Sequence, residues 1–499
     1  MEDRVQYVYA LLGLLASFYF IYWKADPLRH IPAIGPSAPI LSYLGAYKYY
    51  HNAQEVLLEG YNKYKVFRVS MLDRWVVVVS GADMNEELRK VPDTHVSFVE
   101  AVDDFTYMKY TVAPDVIEHP LHIPVVRGQL TRNLGLIFPD VVDEMEVAFP
   151  EVMPMPTQDD EWAAFPVRDT MAAIVSRISN RVFVGLPLCK NPTDFLDTLV
   201  EYALSVAKAR DILSVVPGLL KGIAGNLLPW SKRAIRHATA YVEPMIQERL
   251  QNMQNVGDDD AKKPYDYLTW LIEETQKAKQ DPSLVIQLIL LSNFAAIHTS
   301  SNSITHSLFN LAAHTEYMQP LREEVEAVIQ EHGWTKNAID KMWKLDSFMR
   351  ESQRLGGIAG ISVMRKVVQD ITLSDGTYLP RGTMIVAASL GTHTDEKYYK
   401  NAEAFEPFRF SEMRMEGDAV RKQYVNTSKE FIPFGHGKHA CPGRFFAVNE
   451  LKAMMAYIVL HYDVKLEEGV SRPENVWVWH DVAPADTKVL FRKRQSKVE

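Results

Sequence analysis

A long apolar segment, Gln280 to His314, constrains the fold of this 499-residue chain more than any other feature. Asp281 followed by Pro282 is typical of a helix start, because proline lacks only an N–H that the first turn leaves unpaired. The residues that follow are apolar on all sides of a helix, which predicts a helix running through the protein core. The periodicity is mostly helical from about Pro139 to Gly356, so helices should dominate the fold.

A polar sequence, HTSSNS (His298 to Ser303), interrupts this apolar segment near its middle. Burying that many polar groups costs free energy unless they find partners. Serine and threonine hydroxyls can bond to a carbonyl one turn earlier and open a helix locally. From this segment alone, a polar patch facing a cavity without chemistry is as good an interpretation as a functional site.

Sheet signals flank the helical region. The sequences KVFRVS (65–70) and RWVVVVSG (74–81) predict two strands joined by a short turn. Further on, DITLSDGTYLPRGTMIVAAS (370–389) predicts a hairpin that turns at Asp375 and Gly376. Since we find no linker that divides the body, the predicted fold class is mainly α with a minor β-sheet, in a single large domain.

The N-terminus predicts a transmembrane anchor. Val5 to Trp23 carries no charge, and a helix of that length spans roughly 28 Å, close to the hydrocarbon thickness of a bilayer. Lys24, Arg29 and His30 follow, which favours a cytosolic body. A cleaved signal peptide is the alternative, but the apolar run is long for one and no A-x-A site follows it. We expect an anchor at 1–24, a proline-rich hinge at 25–40 and the body at 41–499.

Composition excludes several classes of function. A net charge of −9 argues against a nucleic-acid partner, because phosphate binding requires a basic face. Two cysteines cannot form the disulfide framework of a small secreted protein, which fits a reducing compartment. The chain has no glycine-rich phosphate loop and no GxGxxG. Any redox chemistry must therefore receive its electrons from a nicotinamide or flavin on another protein.

One of the two cysteines, Cys441, lies in the sequence FGHGKHACPGRFFA. A thiolate suits haem iron, and as axial ligand it donates electron density that favours O–O cleavage. Gly437 and Gly443 permit backbone conformations that a side chain would forbid. The predicted helix start just after the cysteine would direct N–H groups at the sulfur. A buried structural cysteine is the usual alternative. We accept it for Cys189 but not for Cys441, because the spacing Phe-x-x-Gly-x-His-x-Cys-x-Gly is too specific.

This segment resembles the haem-binding signature of the cytochrome P450 family, in the fungal form that has His439 where most members have arginine. In that setting, Phe434 would cover the sulfur, and His439 and Arg444 would meet haem carboxylates. The resemblance extends from the anchor and hinge to the last strands. It implies the cytochrome P450 fold for residues 41–499, with haem as the cofactor and Cys441 as the iron ligand.

A second motif, ESQR, places Glu351 and Arg354 three residues apart, so both face the same side of a helix. Alone, this spacing usually marks a surface ion pair. The family joins such a pair to an arginine in a later loop, which here is FEPFRF with Arg409. The resemblance implies a structural network of these three residues behind the haem, and such a network holds shape without necessarily adding stability.

Further site residues follow from the resemblance. The sequence AAIHTS resembles the oxygen-activating stretch, with Thr299 at the alcohol position and His298 where most members have an acid. Arg365 in VMRKV and Arg127 in IPVVRGQL match cations that bind haem propionates. A surface arginine is the alternative for each, and Ile123 stands where the family usually has tryptophan one turn before Arg127.

The resemblance implies a monooxygenase of the endoplasmic-reticulum membrane, single-pass, with its catalytic domain in the cytosol. NADPH–cytochrome P450 reductase would supply electrons, with cytochrome b5 as an additional partner. One atom of O2 enters a C–H bond and the other leaves as water. A reductase-independent haem-thiolate isomerase or dehydratase is one alternative, and an anchored haem-binding protein without turnover is another. Thr299 argues against both.

The expected substrate is an apolar small molecule. By resemblance, the segments Phe98–Val112 and Gly356–Val363 line its pocket together with Phe294, and the small residues after Leu355 leave room for a bulky, rigid skeleton. The sequences IPAIGP, AAIHTS and GKHACPGRFFA are most similar to fungal enzymes that oxidise terpenoids. Ile212 to Trp230 is apolar and rich in glycine, which predicts either core or a second membrane contact.

Overall fold

The computed structural model describes residues 6–7, 13–14, 17, 19–21, 23–112, 115–158, 161–186, 188–189, 193–256, 264–417 and 420–494. The α-helices are α1 (Ser42–His51), α2 (Ala53–Lys63), α3 (Ala82–Lys90), α4 (Phe98–Thr106), α5 (Met108–Thr111), α6 (Asp115–Glu118), α7 (His122–Val125), α8 (Leu134–Val152), α9 (Val167–Phe183), α10 (Thr193–Val215), α11 (Gly218–Leu227), α12 (Trp230–Val256), α13 (Tyr267–Lys277), α14 (Leu284–Ala313), α15 (Met318–His332), α16 (Lys336–Lys341), α17 (Trp343–Leu355), α18 (Ser389–His393), α19 (Arg409–Met415) and α20 (Arg444–His461).

The strands are β1 (Val66–Ser70), β2 (Trp75–Val79), β3 (Val96–Ser97), β4 (Ala163–Pro166), β5 (Ser362–Val367), β6 (Ile371–Thr372), β7 (Tyr378–Leu379), β8 (Met384–Ala387), β9 (Tyr462–Lys465), β10 (Val476–Val478), β11 (Asp481–Ala483) and β12 (Lys488–Lys493). The described residues also contain a π-helical turn, Val126–Leu130, and two 3-10 turns, Thr315–Tyr317 and Gly437–His439. The predicted class, mainly α with minor sheets, is confirmed.

Helix α14 is the predicted core helix. Within the described residues, it is the one helix long and apolar enough to cross a membrane, yet 67% of its most apolar window is buried inside the protein. Helices α9, α10, α13, α17 and α20 pack around it, which explains why its sequence is apolar on all sides. It stays helical through His298–Ser303, because hydroxyls such as those of Thr305 and Ser307 bond to carbonyls one turn earlier without breaking the backbone ladder.

The largest sheet has the strand order β1-β2-β8-β5-β3. The predicted pair β1 and β2 is antiparallel, with Val66 opposite Val79. Strand β8 joins β2 in parallel and β5 in antiparallel orientation, so the sheet brings Arg365 on β5 into the body. The predicted hairpin is present as β6 and β7, and Gly376 supplies the left-handed conformation of its turn, φ +87°.

The predicted anchor, Val5 to Trp23, lies mostly outside the described residues. The predicted hinge segment is described, and part of it packs on strand β1. The Ile34 N–H donates to the Arg68 carbonyl at 3.0 Å, and the Arg68 N–H donates to the Pro32 carbonyl at 2.8 Å. The Arg68 side chain, only 1% exposed, pairs with Asp26. The division into anchor, hinge and catalytic domain stays a prediction.

Candidate active site

The cysteine loop is a tightly curled segment that ends in helix α20. The Cys441 N–H donates to the Phe434 carbonyl at 2.8 Å, which closes the loop on itself. Gly435 and Gly437 have φ of 72° and 74°, a region that disfavours other residues. A Cβ at Gly437 would lie 2.3 Å from the Arg89 side chain, so helix α3 lies directly against the loop. The curl therefore depends on glycine at this position.

The sulfur of Cys441 lies at the start of helix α20, as the sequence predicts. Cys441 has accessible surface, yet protein atoms surround its thiol closely. Burial raises the pKa of the thiol, while N–H groups of Gly443 and Arg444 and the charges of Arg444 and Arg127 favour the thiolate. The loop therefore supplies hydrogen bonds and positive charge to an anionic sulfur.

Cationic groups surround the cysteine loop. Arg127 donates from Nη2 to the Lys438 carbonyl at 2.8 Å, which fixes this arginine beside the loop. The Nε2 atom of His439 lies 2.7 Å from Asp93 Oδ1. Burial lowers the pKa of His439, and the bond to Asp93 opposes that shift. The bonds from His439 and Lys438 lower the pKa of Asp93 to about 2, so this carboxylate stays ionised.

Arg365 is a buried cation on strand β5. It is 3% exposed, and its Nη1 donates to the Met364 carbonyl at 2.7 Å. Within the described residues its guanidinium forms no ion pair, and burial lowers its pKa to about 10. Its guanidinium carbon lies 5.7 Å from the ring centroid of Phe98, and that ring stacks on His439 at 5.4 Å. A buried arginine without a carboxylate partner indicates a site for an anionic ligand group.

The ESQR motif and the later arginine meet in one buried network. Glu351 accepts from Arg354 Nε at 2.8 Å and Nη2 at 2.7 Å, and from Arg409 Nε at 3.1 Å. The backbone N–H of Glu406 also donates to this carboxylate. The three side chains named by the sequence are therefore in direct contact, and helix α17 is joined to the loop that precedes α19.

Thr299 and His298 leave helix α14 in different directions. Thr299 is exposed although its helix is enclosed, and so is Ala295 one turn earlier, which places both on a cavity. The Thr299 hydroxyl donates to the Ala295 carbonyl at 2.7 Å. His298 instead has a hydrogen bond to the backbone of Val200 on α10, and burial lowers its pKa. Its Nε2 is buried without a partner among the described residues.

Tyr424 connects the core helix to the cysteine loop. Its buried hydroxyl donates to Gln353 Oε1 at 3.1 Å and lies near Ser303, whose own hydroxyl donates to the Thr299 carbonyl at 2.9 Å. The Tyr424 ring lies 5.7 Å from the Phe434 ring. One tyrosine thus links the turn that carries Thr299 to the loop that carries Cys441, so the two predicted halves of the site adjoin.

A family model described as Cytochrome P450 matches residues 32–481. The chain is 71% identical to cytochrome P450 monooxygenase 71 of Postia placenta, over the full length of both. The chain belongs to the cytochrome P450 family. It is also 36% identical to cytochrome P450 monooxygenase CYP512U6 of Ganoderma lucidum, over 100% of this chain and 98% of the relative. The solved structure titled "Retinoic acid bound cyanobacterial CYP120A1" has the same fold, with a TM-score of 0.70 at 20% identity, covering 93% of this chain and 99% of that one.

Cytochrome P450s are haem-thiolate enzymes, and the residues present fit that cofactor. Cys441 offers the sulfur ligand with N–H groups directed at it, and Phe434 lies in the same loop. Arg365 supplies a buried positive charge that can pair with a haem carboxylate. Arg127 lies beside the cysteine loop, and His439 lies within it. These residues would therefore hold haem through one thiolate, which suits iron, and through cationic side chains, which suit the haem carboxylates.

Sequence reasoning missed several residues of this site. Asp93 holds His439 and Lys438 from outside the loop, and Tyr424 joins two distant segments. No local pattern marks either residue, because the partners of Asp93 lie 345 and 346 positions away and Tyr424 donates to Gln353 across 71 positions. One expectation about the substrate pocket is also wrong. Gly356 and Gly360 leave no open space, since a Cβ would lie 2.9 Å from the Ser352 carbonyl oxygen and 2.8 Å from the Trp477 ring. These glycines serve close packing.

Proposed function

We propose that this cytochrome P450 monooxygenase oxidises an apolar terpenoid of fungal secondary metabolism. NADPH–cytochrome P450 reductase supplies the electrons, with cytochrome b5 as an additional donor. Residues 1–24 anchor the enzyme in the endoplasmic-reticulum membrane, and its body lies in the cytosol. The observation that supports oxidative chemistry is the exposed Thr299 on a mostly enclosed core helix, because the next turn of that helix lies near Tyr424, whose ring also packs against Phe434 of the cysteine loop.

Each site residue has a distinct part in this proposal. When bound, haem supplies the iron that activates O2. Cys441 donates electron density through its thiolate, which the N–H groups of Gly443 and Arg444 hold in place. Thr299 accepts a hydrogen bond from a water and holds that water in the cavity as the proton donor, because its oxygen keeps lone pairs free while its own proton is held by the Ala295 carbonyl.

His298 is a weaker part of the proton route. Its side chain is directed at helix α10, and burial favours the neutral imidazole. We propose that its main contribution is to position α14 against α10, while a relay role through the buried Nε2 is the alternative. The two roles predict different effects on coupling and on pH dependence.

The proposed substrate class has separate support. Phe294 is half-buried on the core helix next to the exposed Ala295. Phe98 begins α4 beside the cysteine loop. An apolar lining binds ligands with little polar surface. The terpenoid assignment depends on the resemblance of IPAIGP and AAIHTS to terpenoid-oxidising fungal enzymes.

Co-expression with a fungal reductase and a terpenoid panel tests the proposal, with products identified by mass. NADPH-dependent products heavier by one oxygen atom support it. Products of unchanged mass formed without NADPH would favour an isomerase. If no panel member shifts the haem spectrum or stimulates NADPH use, a haem-binding protein without turnover is favoured.

The proposed iron ligand is tested in the same preparation. Cys441→Ser should remove the thiolate-type band from the carbon monoxide spectrum of the reduced protein. Cys189→Ser is the matched control, since Cys189 lies elsewhere in the fold, near Glu144. A thiolate-type band that persists in Cys441→Ser would contradict the assignment.

A further inference from the structure

A cavity of about 300 Å³ lies between helices α8, α16 and α20. The first turn of α17 and the loop after α19 complete its walls. Pockets that bind small molecules typically have volumes of about 300–1,000 Å³, so this cavity has room for a small organic molecule. None of the described residues that line it belongs to the candidate active site. A molecule bound here would therefore be distinct from the haem and from the substrate.

Much of the cavity wall is apolar. Leu134 on α8, Ile339 on α16 and Val448 on α20 are buried, and they line the cavity together with Val425 and Phe445. Side chains of this type favour contact with a ring or hydrocarbon chain, because covering apolar surface removes it from water. The cavity therefore suits a ligand with an apolar body.

Asn449 on α20 is a polar side chain of the same cavity. It is 7% exposed, and among the described residues its amide has no hydrogen-bond partner. A buried amide without a hydrogen bond costs free energy, and buried side chains of this kind nearly always have a partner. The group that bonds to this amide must therefore lie within the cavity.

Lys452, one turn further along α20, is a second buried polar residue of the lining. It is 3% exposed, and its Nζ donates to Asp346 Oδ1 at 3.0 Å. An ammonium has three N–H groups, and the others have no partner in the part of the chain that the structure describes. Because Asn449 and Lys452 are three residues apart on one helix, they lie on the same face of it. The amide and the ammonium can therefore bind one ligand group together.

The buried charges beside the cavity favour an anion. Asp346 is the carboxylate that pairs with both Lys452 and Arg414, at 3.0 and 3.2 Å, so two cations share one negative charge. Glu324 also acts on both cations, but it forms no ion pair with either and accepts from two backbone N–H groups. The other two charged residues of the lining pair with each other: Lys336 and Asp340. A buried cation that shares its only carboxylate partner can be neutralised by an anionic ligand.

The unused hydrogen-bonding groups of the lining are mostly donors. Lys452 and Asn449 keep N–H groups free, and so does Gln423, whose Oε1 already accepts from Asn426 Nδ2 at 3.3 Å. The Asp346 carboxylate is bonded through both of its oxygens. A carboxylate presents two acceptor oxygens and forms its strongest hydrogen bonds with charged donors. A carboxylate therefore matches these donors better than a hydroxyl or an amine does.

The cavity also adjoins the helix that follows the iron ligand. Phe445 lies one turn after Cys441 on α20. Asp346 accepts from the Tyr424 backbone N–H at 2.9 Å, and the Tyr424 ring lies 5.7 Å from the Phe434 ring. A ligand in the cavity would therefore contact a helix and a carboxylate that both support the cysteine loop.

We propose that this cavity binds a small carboxylic acid, with its carboxylate held by Lys452 and Asn449 and its apolar body against Leu134, Ile339 and Phe445. The bound acid satisfies the Asn449 amide and balances the charge that Lys452 leaves in excess. It joins α20 to α8 and α16, so it stabilises the folded holoenzyme from outside the active site. This site goes beyond the proposed oxidation and does not depend on it.

The test uses the full-length holoenzyme with 4-phenylimidazole bound to the haem iron, so that the active site is occupied. Naphthalene-2-carboxylate is the probe, since it combines a flat apolar body with one carboxylate. Naphthalene-2-carboxamide is the matched neutral ligand, because it has the same shape without the charge. Isothermal titration calorimetry measures the Kd of each ligand, and thermal unfolding measures the change in Tm that each ligand causes.

The decisive variant is Asn449→Leu, which removes the amide and keeps the size of the side chain. Since no described protein group bonds to this amide, the variant should fold. Asn337→Leu is the matched control, because Asn337 is exposed on α16 and does not line the cavity. Lys452→Met removes the ammonium, and its thiolate-type carbon monoxide band shows whether it folds. If it does not fold, Asn449→Leu still decides the test.

We expect the carboxylate to bind at least tenfold more tightly than the carboxamide. Asn449→Leu should weaken carboxylate binding by roughly tenfold, the order of magnitude for one hydrogen bond to a charged group. Lys452→Met should weaken it further, while Asn337→Leu should bind like the parent. The carboxylate should raise the Tm of the parent and of Asn337→Leu, because a ligand that binds only the folded state stabilises it.

The inference is overturned if the two ligands bind equally, or if the parent shows neither heat of binding nor a change in Tm at millimolar ligand. It is also overturned if Asn449→Leu and Asn337→Leu bind the carboxylate alike, since the ligand then binds elsewhere. A protein that binds the carboxylate but oxidises no terpenoid would contradict the proposed function alone. Terpenoid oxidation without carboxylate binding would contradict this site alone.

Discussion

Glu351 and Arg354 form a two-point ion pair in which neither side chain has any exposed surface. The two hydrogen bonds measure 2.8 and 2.7 Å. The remaining N–H groups of Arg354 donate to the carbonyls of His393, Ala402 and Ala404. Since water cannot reach this ion pair, the two charges are stabilised only by protein groups. Loss of the pair should therefore also destabilise the segments that contact it outside helix α17.

Glu351→Gln should lower the free energy of unfolding by about 3–5 kcal/mol, because it leaves the buried charge of Arg354 uncompensated and leaves Arg409 with only Glu406 as a carboxylate partner. Urea unfolding measures this change, and the haem content of the purified protein should fall with it. Lys63→Met is the control, since Lys63 pairs with Glu59 at the surface, and it should leave both quantities unchanged. If Lys63→Met lowers the free energy of unfolding equally, the fold is sensitive to substitution in general.

Thr299→Ala should keep the haem spectrum and ligand binding but release peroxide in place of product while NADPH is consumed. Positioned acid–base groups typically contribute about 10²–10⁴-fold, and the loss here should be smaller because water can substitute in a cavity. The ratio of product to NADPH consumed is the measurement. Thr299→Ser retains the hydroxyl and should keep the ratio. Unchanged coupling in Thr299→Ala would move the relay to Ser300 or to ordered water.

His298→Ala should reduce thermal stability and turnover while leaving the ratio of product to NADPH unchanged, because the imidazole contacts α10 through the Val200 backbone. His298→Asn, which keeps a hydrogen-bonding side chain, should restore part of the stability. A relay role predicts something different. In that case His298→Ala flattens the pH dependence of turnover, and His298→Asp restores much of the rate.

Glu450→Gln should flatten the loss of stability that occurs as pH rises toward about 8. Glu450 on α20 is fully buried, and it accepts from the Ser179 hydroxyl at 2.8 Å. Burial raises its pKa to about 8, from an ordinary value near 4.5. Between these values the folded state holds a proton that the unfolded state has lost, so stability falls as pH rises. Unfolding by urea at pH 6, 7 and 9 measures the slope for both proteins.

An unchanged slope in Glu450→Gln would contradict this prediction. If Glu450→Gln loses stability with the same slope as the parent, the carboxyl is ionised in the folded protein, and other groups cause the alkaline loss. Ser179→Ala should steepen the slope slightly, because the Ser179 bond favours the ionised form.

The outer face of α11 should bind membranes without the N-terminal anchor. A protein lacking residues 1–24 should stay partly membrane-associated in high salt, because apolar contacts are not screened. Replacing both Leu219 and Leu220 with glutamate should release it. Met415→Glu, at another exposed apolar position, is the control. Full solubility of the truncated protein before any charge is added would contradict this second contact.

The sequence by itself determined the parts of this protein that depend on local spacing. The apolar character of Gln280 to His314 on all sides of a helix identified the core helix, and the i,i+3 spacing of Glu351 and Arg354 placed both on one helix face. Gly437 predicted the curled loop, because its backbone has a positive φ. The same expectation for Gly443 is wrong, since its φ of −82° is open to any residue. Each of these inferences uses residues within a few turns of one another, where chain geometry fixes the relationship.

Only the tertiary structure decided which groups meet from distant segments. Thr299 and His298 are neighbours in sequence, yet one faces a cavity and the other faces α10, because successive residues on a helix point about 100° apart. Asp93 meets His439, and Lys221 meets Asp73, across 346 and 148 positions. Gly356 and Gly360 pack against side chains instead of opening a pocket. Such contacts depend on how whole helices and strands pack, which no local pattern encodes.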